Sequence, residues 1–202
     1  MNIKEFYDKR AKSYKEGWQA AHWSSKETQQ DTFSLLTQIA PFEPKDCILD
    51  LGCGQGDLFR FIQKMGWKIN YEGIDISSSM IDRAWKNNPK GKFACIDFLD
   101  DRFNFEYDWI LASGPFNHKV DGDQYEYIGK CFKKMYQLSK KGFGTILTTE
   151  HYKGEKTEYL FHYNPIKCLE ILFDISNVIS FNHTAFDWGF LVFVYNEKWM
   201  NA

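Results

Sequence analysis

The sequence predicts an α/β chain: a doubly wound seven-stranded sheet, mostly parallel with the last strand antiparallel, preceded by an N-terminal helical cap. Three observations predict it. After Pro44, short β-rich runs alternate with helical stretches, the pattern of βαβ units that feed a parallel sheet. The last two β-rich runs are joined by a short connection, which suits an antiparallel pair because a parallel crossover needs a dozen or more residues. A chain of 202 residues also suits one α/β domain with at most a small appendage.

From Asn2 to Ala40 the chain is polar and helix-like. Phe6, Tyr7, Tyr14, Trp18 and Trp23 stand among Lys, Glu and Gln without strand alternation. Residues 1–40 are therefore expected as the cap and 41–202 as the main domain. Cys47 to Leu51 is an apolar run holding Asp50. A glycine cluster follows, then Leu58, Phe59, Ile62 and Met65 at helical spacing. Tyr71 to Ile76 reads as the second strand, and Ser77 to Asn87 as a helix opened by serines suited to N-capping. Lys92 to Ile96 and Tyr107 to Ser113 are the third and fourth strands. Asp121 to Leu138 is a long helix with Tyr125, Ile128, Phe132, Met135 and Leu138 on one face. Phe143 to Thr149 is the fifth strand, and Pro165 to Phe173 a helix with proline at its start. Ser176 to His183 and Trp188 to Tyr195 close the sheet.

Composition excludes several function classes. A formal net charge of −2 gives no broad basic face for a phosphate backbone, so no nucleic-acid partner is expected. Apolar runs such as Phe190 to Tyr195 are far shorter than a bilayer span, so no membrane is expected either. Cys47, Cys53, Cys95, Cys131 and Cys168 are odd in number and form no CxxC pair, which argues against a disulfide framework and a zinc knuckle. The expected setting is cytoplasmic. The aromatic share of 18% exceeds core needs and suits a pocket for a flat or cationic ligand.

The most informative segment runs Ile48-Leu49-Asp50-Leu51-Gly52-Cys53-Gly54-Gln55-Gly56-Asp57. A strand entering Gly-x-Gly-x-Gly and then a helix lets the backbone turn sharply beside a ligand. The helix amides behind it suit a polar or anionic group. Asp75 ends the next strand, 19 positions after Gly56, where a carboxylate can accept both hydroxyl protons of a ribose. A tight turn with Asp75 merely capping the next helix would use the same residues, but leaves the paired carboxylates at two strand ends unexplained. A dinucleotide fingerprint would need glycine where Asp57 stands, which disfavours a nicotinamide oxidoreductase.

This segment closely resembles motif I of the class I S-adenosylmethionine-dependent methyltransferases. The resemblance continues through Glu72 to Ser77, Cys95 to Asp100, Tyr107 to Asn117 and the strand after Lys140 to Gly144, with Phe6 to Tyr14 similar to a tyrosine-bearing N-terminal cap. It implies the Rossmann-like fold of that family, S-adenosyl-L-methionine as cofactor and S-adenosyl-L-homocysteine as product. It further implies that Gly52 and Gly54 pass the methionine part, with backbone groups of Gly52 and Ala112 or Ser113 near its amino group. Asp75 would hold the ribose hydroxyls, Ile76 and Met80 would flank the adenine, and Asp97 would face its amino group beside Phe98. Tyr14 would lie over the sulfonium.

Ligands of open α/β sheets bind at the carboxyl ends of the strands. Three of five histidines fall just past such ends: His118, His151 and His183, accompanied by Asn117, Glu150 and Asp187. A neutral imidazole suits removal of a hydroxyl proton, so His183 is the first choice of catalytic group and His118 the second. Asn117, Phe116, His151 and Trp188, together with Tyr7, are expected to contact the acceptor. No acidic ligand set for a metal is evident. Ser113 to Phe116 reads SGPF, only a partial match to the loop of amino-group methyltransferases, and no proline precedes a cysteine as a cytosine-carbon mechanism would want. A small-molecule acceptor is therefore expected. Weaker likeness of the SGPF loop and the C-terminal stretch to a small-methyltransferase subfamily of bacterial surface-glycan synthesis implies an oxygen of a sugar or glycan precursor. Small-molecule N- or carboxyl-methylation and a non-catalytic S-adenosylmethionine-binding module are the alternatives, and the oligomeric state stays open.

Overall fold

A computed structural model describes residues 2–39 and 41–200. Met1, Ala40, Asn201 and Ala202, which the expected domain limits include, lie outside the described residues. Strands β1 (Cys47–Leu51), β2 (Asn70–Asp75), β3 (Phe93–Cys95), β4 (Tyr107–Ala112), β5 (Ser139–Thr148), β6 (Ile179–Asn182) and β7 (Gly189–Tyr195) form one sheet. Its order is β3-β2-β1-β4-β5-β7-β6. β7 runs antiparallel to both β5 and β6, and every other pairing is parallel. The single reversed strand is the last, as the short connection before it implied.

The helices are α1 (Ile3–Ser13), α2 (Gly17–Ala20), α3 (Lys26–Leu36), α4 (Asp57–Met65), α5 (Ser78–Asn87), α6 (Gln124–Leu138), α7 (Pro165–Phe173) and α8 (Glu197–Met200). None is long and apolar enough to cross a membrane among the described residues. Successive side chains of a strand point to opposite faces, and the core divides accordingly. Leu49, Ile74 and Ile110 face Ile128, Phe132 and Met135 of α6 and Cys168 and Leu172 of α7. On the other face Ile48, Trp109 and Ile146 meet Leu58 and Ile62 of α4 and Ile81 and Ala84 of α5. Phe33 and Leu36 of α3, from the segment expected as a cap, share this second core.

Three boundaries differ from the sequence reading by three or four residues, each through local chemistry, and several others by a single residue. The long helix starts at Gln124 rather than Asp121, because Asp123 caps it by accepting from the amides of Tyr125 (2.8 Å) and Glu126 (2.9 Å). β5 begins at Ser139, four residues earlier than the apolar pattern. Its polar start pairs with β4 through a register shift between Tyr107 and Trp109, and the Lys141 amine is held by Glu43 and Asp46, each at 2.8 Å. β6 begins at Ile179 rather than Ser176. The Ser176 hydroxyl donates to the Tyr195 carbonyl (2.9 Å) and accepts from the Val178 amide (3.1 Å), which makes residues 176–178 a turn.

Strand order reverses between β1 and β4, which start connections toward opposite edges of the sheet. A crevice opens there, beyond the strands' carboxyl ends. Helix α1 lies over α5, fixed at two points. The Asp8 carboxylate accepts from the Ser77 hydroxyl (2.6 Å) and the Ser79 amide (3.1 Å), and Arg83 donates to the carbonyls of Ala11, Tyr14 and Lys15 at the end of α1.

Candidate active site

The crevice is a cleft of ≈ 330 Å³ between the loop after β1 and the loop after β4, with α1 and the α2–α3 connection along its rim. The two loops touch. Gly52 has φ 75°, and a Cβ there would come within 2.6 Å of the Pro115 Cβ, so only glycine fits. Gly54 has φ 54°, and a Cβ there would meet no atom within 4 Å because it would stand in open space. Its amide instead donates to Asp75 Oδ2 at 2.9 Å, while Asp75 Oδ1 accepts from the Ser77 amide at 2.8 Å. One carboxylate thus ties the glycine loop to the start of α5 and retains lone pairs for a ligand.

Burial raises the Asp75 carboxyl above its ordinary value, against the two amides that favour its charge. Asp50, buried on the same cleft, is pushed up to about 7 by desolvation, although the Tyr71 hydroxyl donates to it at 2.5 Å. At Asp50 the folded state therefore binds more protons than the unfolded chain between about pH 4 and 7. Stability contributed at Asp50 is present at the low end of that window and is lost as pH rises through it. Denaturant unfolding across this range is expected to show wild type losing stability relative to Asp50→Asn as pH rises, the contributions of the histidines being common to both proteins. A difference between the two proteins that stays constant with pH would contradict the assignment.

Most sequence-predicted residues converge here. Gly52, Gly54, Asp75, Ile76, Met80, Asp97, Phe98, Ser113, Phe116, Asn117, His118 and Trp188 all line the cleft. Met80 is buried beside Ala11 and Ala20 with Tyr7 packed on them. Asp97 is exposed and accepts from the Leu99 amide at 2.9 Å. Ser113 Oγ is buried with no partner among the described residues. Asn117 Oδ1 accepts from the Thr148 amide at 3.0 Å, which fixes the loop after β4 to the end of β5.

Three residues are not brought to the cleft. Tyr14 follows the end of α1, is 40% exposed and stacks on the Arg10 guanidinium (4.4 Å from the ring centroid). Tyr7, two helical turns earlier, lines the cleft instead, with its hydroxyl held above the ordinary value by burial and then by the Asp75 charge. His183 lies in the β6–β7 connection, its ring packed on Phe181, Phe190 and His151 (5.7–6.0 Å). The strand-end rule gave its height along the strands correctly but not its lateral place, since β6 is the far edge of the sheet. His151 is exposed beside it.

His118 does reach the cleft. Its ring is boxed by Phe6 (4.6 Å), Tyr7 (5.1 Å) and His22 (5.8 Å), and Nε2 is buried without a partner among the described residues. Desolvation, then the His22 and Arg10 charges, hold it down to about 4, so the ring is neutral at physiological pH. Sequence reading missed His22, Trp23, Tyr152 and His162, which also line the cleft. They lie in connections without periodicity. A signal existed only in density of aromatics, as with Trp23 edge-on to Trp188 at 6.2 Å. The formal charges among the described lining residues are all carboxylates: Asp50, Asp57, Asp75, Asp97 and Glu155.

A family model described as a methyltransferase domain matches residues 48–142, from β1 through the start of β5. A Mycobacterium tuberculosis protein named as a methyltransferase is 29% identical over 131 residues, 61% of this chain and 76% of that one. Malonyl-[acyl-carrier protein] O-methyltransferase of Acetivibrio thermocellus is 29% identical over 112 residues, 54% of this chain, but the match spans only 40% of that protein's length. Magnesium protoporphyrin IX methyltransferase from Synechocystis PCC 6803, solved with S-adenosylhomocysteine, superposes with TM-score 0.68 at 13% identity. That superposition covers 96% of this chain and 98% of the other, a likeness of fold.

Proposed function

We propose that this chain, an S-adenosylmethionine-dependent methyltransferase, passes the methyl group to an oxygen of a small neutral molecule, a sugar or glycan precursor. The cleft fits the cofactor on its own chemistry. Asp75 offers free lone pairs for ribose hydroxyls, Gly54 leaves open a space that any side chain would fill, and Ser113 Oγ is an orphaned buried polar atom. When bound, S-adenosylmethionine supplies an electrophilic methyl group on a cationic sulfur. Ile76 and Met80 flank the adenine, Asp97 and Phe98 meet its edge, and Gly52 and Ser113 lie near the amino-acid end. Tyr7 takes the place beside the sulfonium that Tyr14 was expected to hold, presenting an aromatic ring to a cation.

The observation that carries the acceptor reading is His118. A neutral imidazole with a bare nitrogen, boxed by aromatic rings, is a hydrogen-bond partner for a hydroxyl. Trp23 and Trp188 offer apolar surface for a ring face. The carboxylates of the lining repel an anionic acceptor, which speaks against carboxyl-methylation. Phe116 and Asn117 complete the acceptor wall, and α1 with the α2–α3 connection acts as its cap. Methyl-labelled S-adenosylmethionine incubated with the small-molecule fraction of a bacterial extract is expected to label neutral hydroxylic compounds. Label found only in amines or carboxylic acids, or only in protein or RNA when the whole extract is supplied instead, would overturn the reading.

A further inference from the structure

We infer that His162 is the group that receives the acceptor's hydroxyl proton, an inference that rests on the hydroxyl-acceptor reading above. The β5–α7 connection folds back along the cleft and is stitched in place. Its Leu160 bridges His118, the Phe161 amide donates to the Asn117 carbonyl (2.8 Å), and the Tyr163 amide to the Thr148 carbonyl (2.8 Å). His162 sits inside this pinned stretch, with Nδ1 3.2 Å from the Thr149 carbonyl oxygen. A carbonyl only accepts, so Nδ1 carries the hydrogen and Nε2 is left with its lone pair. That Nε2 is shut off from water and has no partner among the described residues, on a residue that lines the cleft. A backbone carbonyl holding one imidazole nitrogen while the other is bare is the arrangement of a general base.

The groups around it favour the neutral ring. Burial lowers its proton affinity, the Thr149 contact opposes this, and Lys156 and Lys119 lower it further. Tyr152 stacks on the ring at 6.4 Å between centroids. A weak base suffices, because an alcohol oxygen becomes strongly acidic once it has begun to bond to the methyl carbon. In the step, the acceptor oxygen bonds to the methyl carbon and the carbon–sulfur bond breaks with its electron pair left on sulfur. The hydroxyl proton passes to His162 Nε2, and the imidazolium loses it to water that enters the cleft once the products have left. His118, boxed by Phe6 and Tyr7, binds the acceptor and does not take the proton.

Two arms test this. Proton–nitrogen NMR of the histidine rings in the S-adenosylhomocysteine-bound protein, with His162 assigned by His162→Gln, is expected to show a neutral ring with hydrogen on Nδ1. Hydrogen on Nε2, or an imidazolium at pH 7, would overturn the assignment whatever the acceptor is. In the labelled-extract assay, His162→Gly is expected to lower turnover by about 100-fold or more. S-adenosylhomocysteine affinity by calorimetry should be retained, and added imidazole should restore turnover. Turnover near wild type, or loss without imidazole rescue, would also overturn it. A wild-type protein that labels no hydroxylic compound would sink the underlying acceptor reading instead, while the ring's tautomer is still read by the first arm.

Discussion

Asp75→Ala is expected to weaken S-adenosylmethionine binding by about 1–3 kcal/mol, roughly 5- to 150-fold. Two losses combine. The ribose hydroxyls lose their acceptor, and the amides of Gly54 and Ser77, both now satisfied by this one carboxylate, lose theirs. Asp75→Asn keeps one oxygen and is expected to fall between alanine and wild type, because an amide can serve Gly54 or Ser77 but not both. Calorimetry with S-adenosylhomocysteine separates the three proteins. Equal affinity for all of them would remove Asp75 from the site.

The second large effect is steric and comes with its own control. Gly54 and Gly66 have φ of 54° and 73°, and at neither would an added Cβ meet an atom within 4 Å. Valine at either position costs about 1–2 kcal/mol of backbone strain, so both variants are expected to lose stability to a similar degree in denaturant unfolding. Only Gly54 lines the cleft, whereas Gly66 ends α4. Gly54→Val is therefore expected to lose cofactor affinity by at least about tenfold, 1.4 kcal/mol, and Gly66→Val to keep it. If both variants bind alike, the open space at Gly54 is not where the cofactor lies.

Legibility of the sequence followed the length scale of the physics. Strand β1, the glycine loop and Asp75 were readable because their constraints are local: an apolar run, residues free to take positive φ, and a carboxylate at a strand end. The reversed β7 was readable from the length of one connection. Residues placed by tertiary packing were not. Tyr7 and Tyr14 lie seven positions apart on one helical segment, and the direction of α1, set by Asp8 on Ser77 and by Arg83 on its last carbonyls, decides which ring meets the cleft. His118, His151 and His183 all follow strand ends, but strand order alone puts the first beside the switch between β1 and β4 and the last at the outer edge. His162 belongs to a connection whose path depends on backbone bonds to residues 117 and 148. Accordingly, His183→Ala is expected to leave both turnover and cofactor affinity unchanged, and a loss of turnover would return it to the site.

The central claim is that the cleft between β1 and β4 holds the adenosyl group by Asp75. A crystal structure with S-adenosylhomocysteine tests it directly. The expected result is both ribose hydroxyls within about 2.5–3.0 Å of the Asp75 carboxylate, with the amino-acid end running past Gly52 and Gly54. The ligand bound elsewhere, with Asp75 still facing only Gly54 and Ser77, would contradict it.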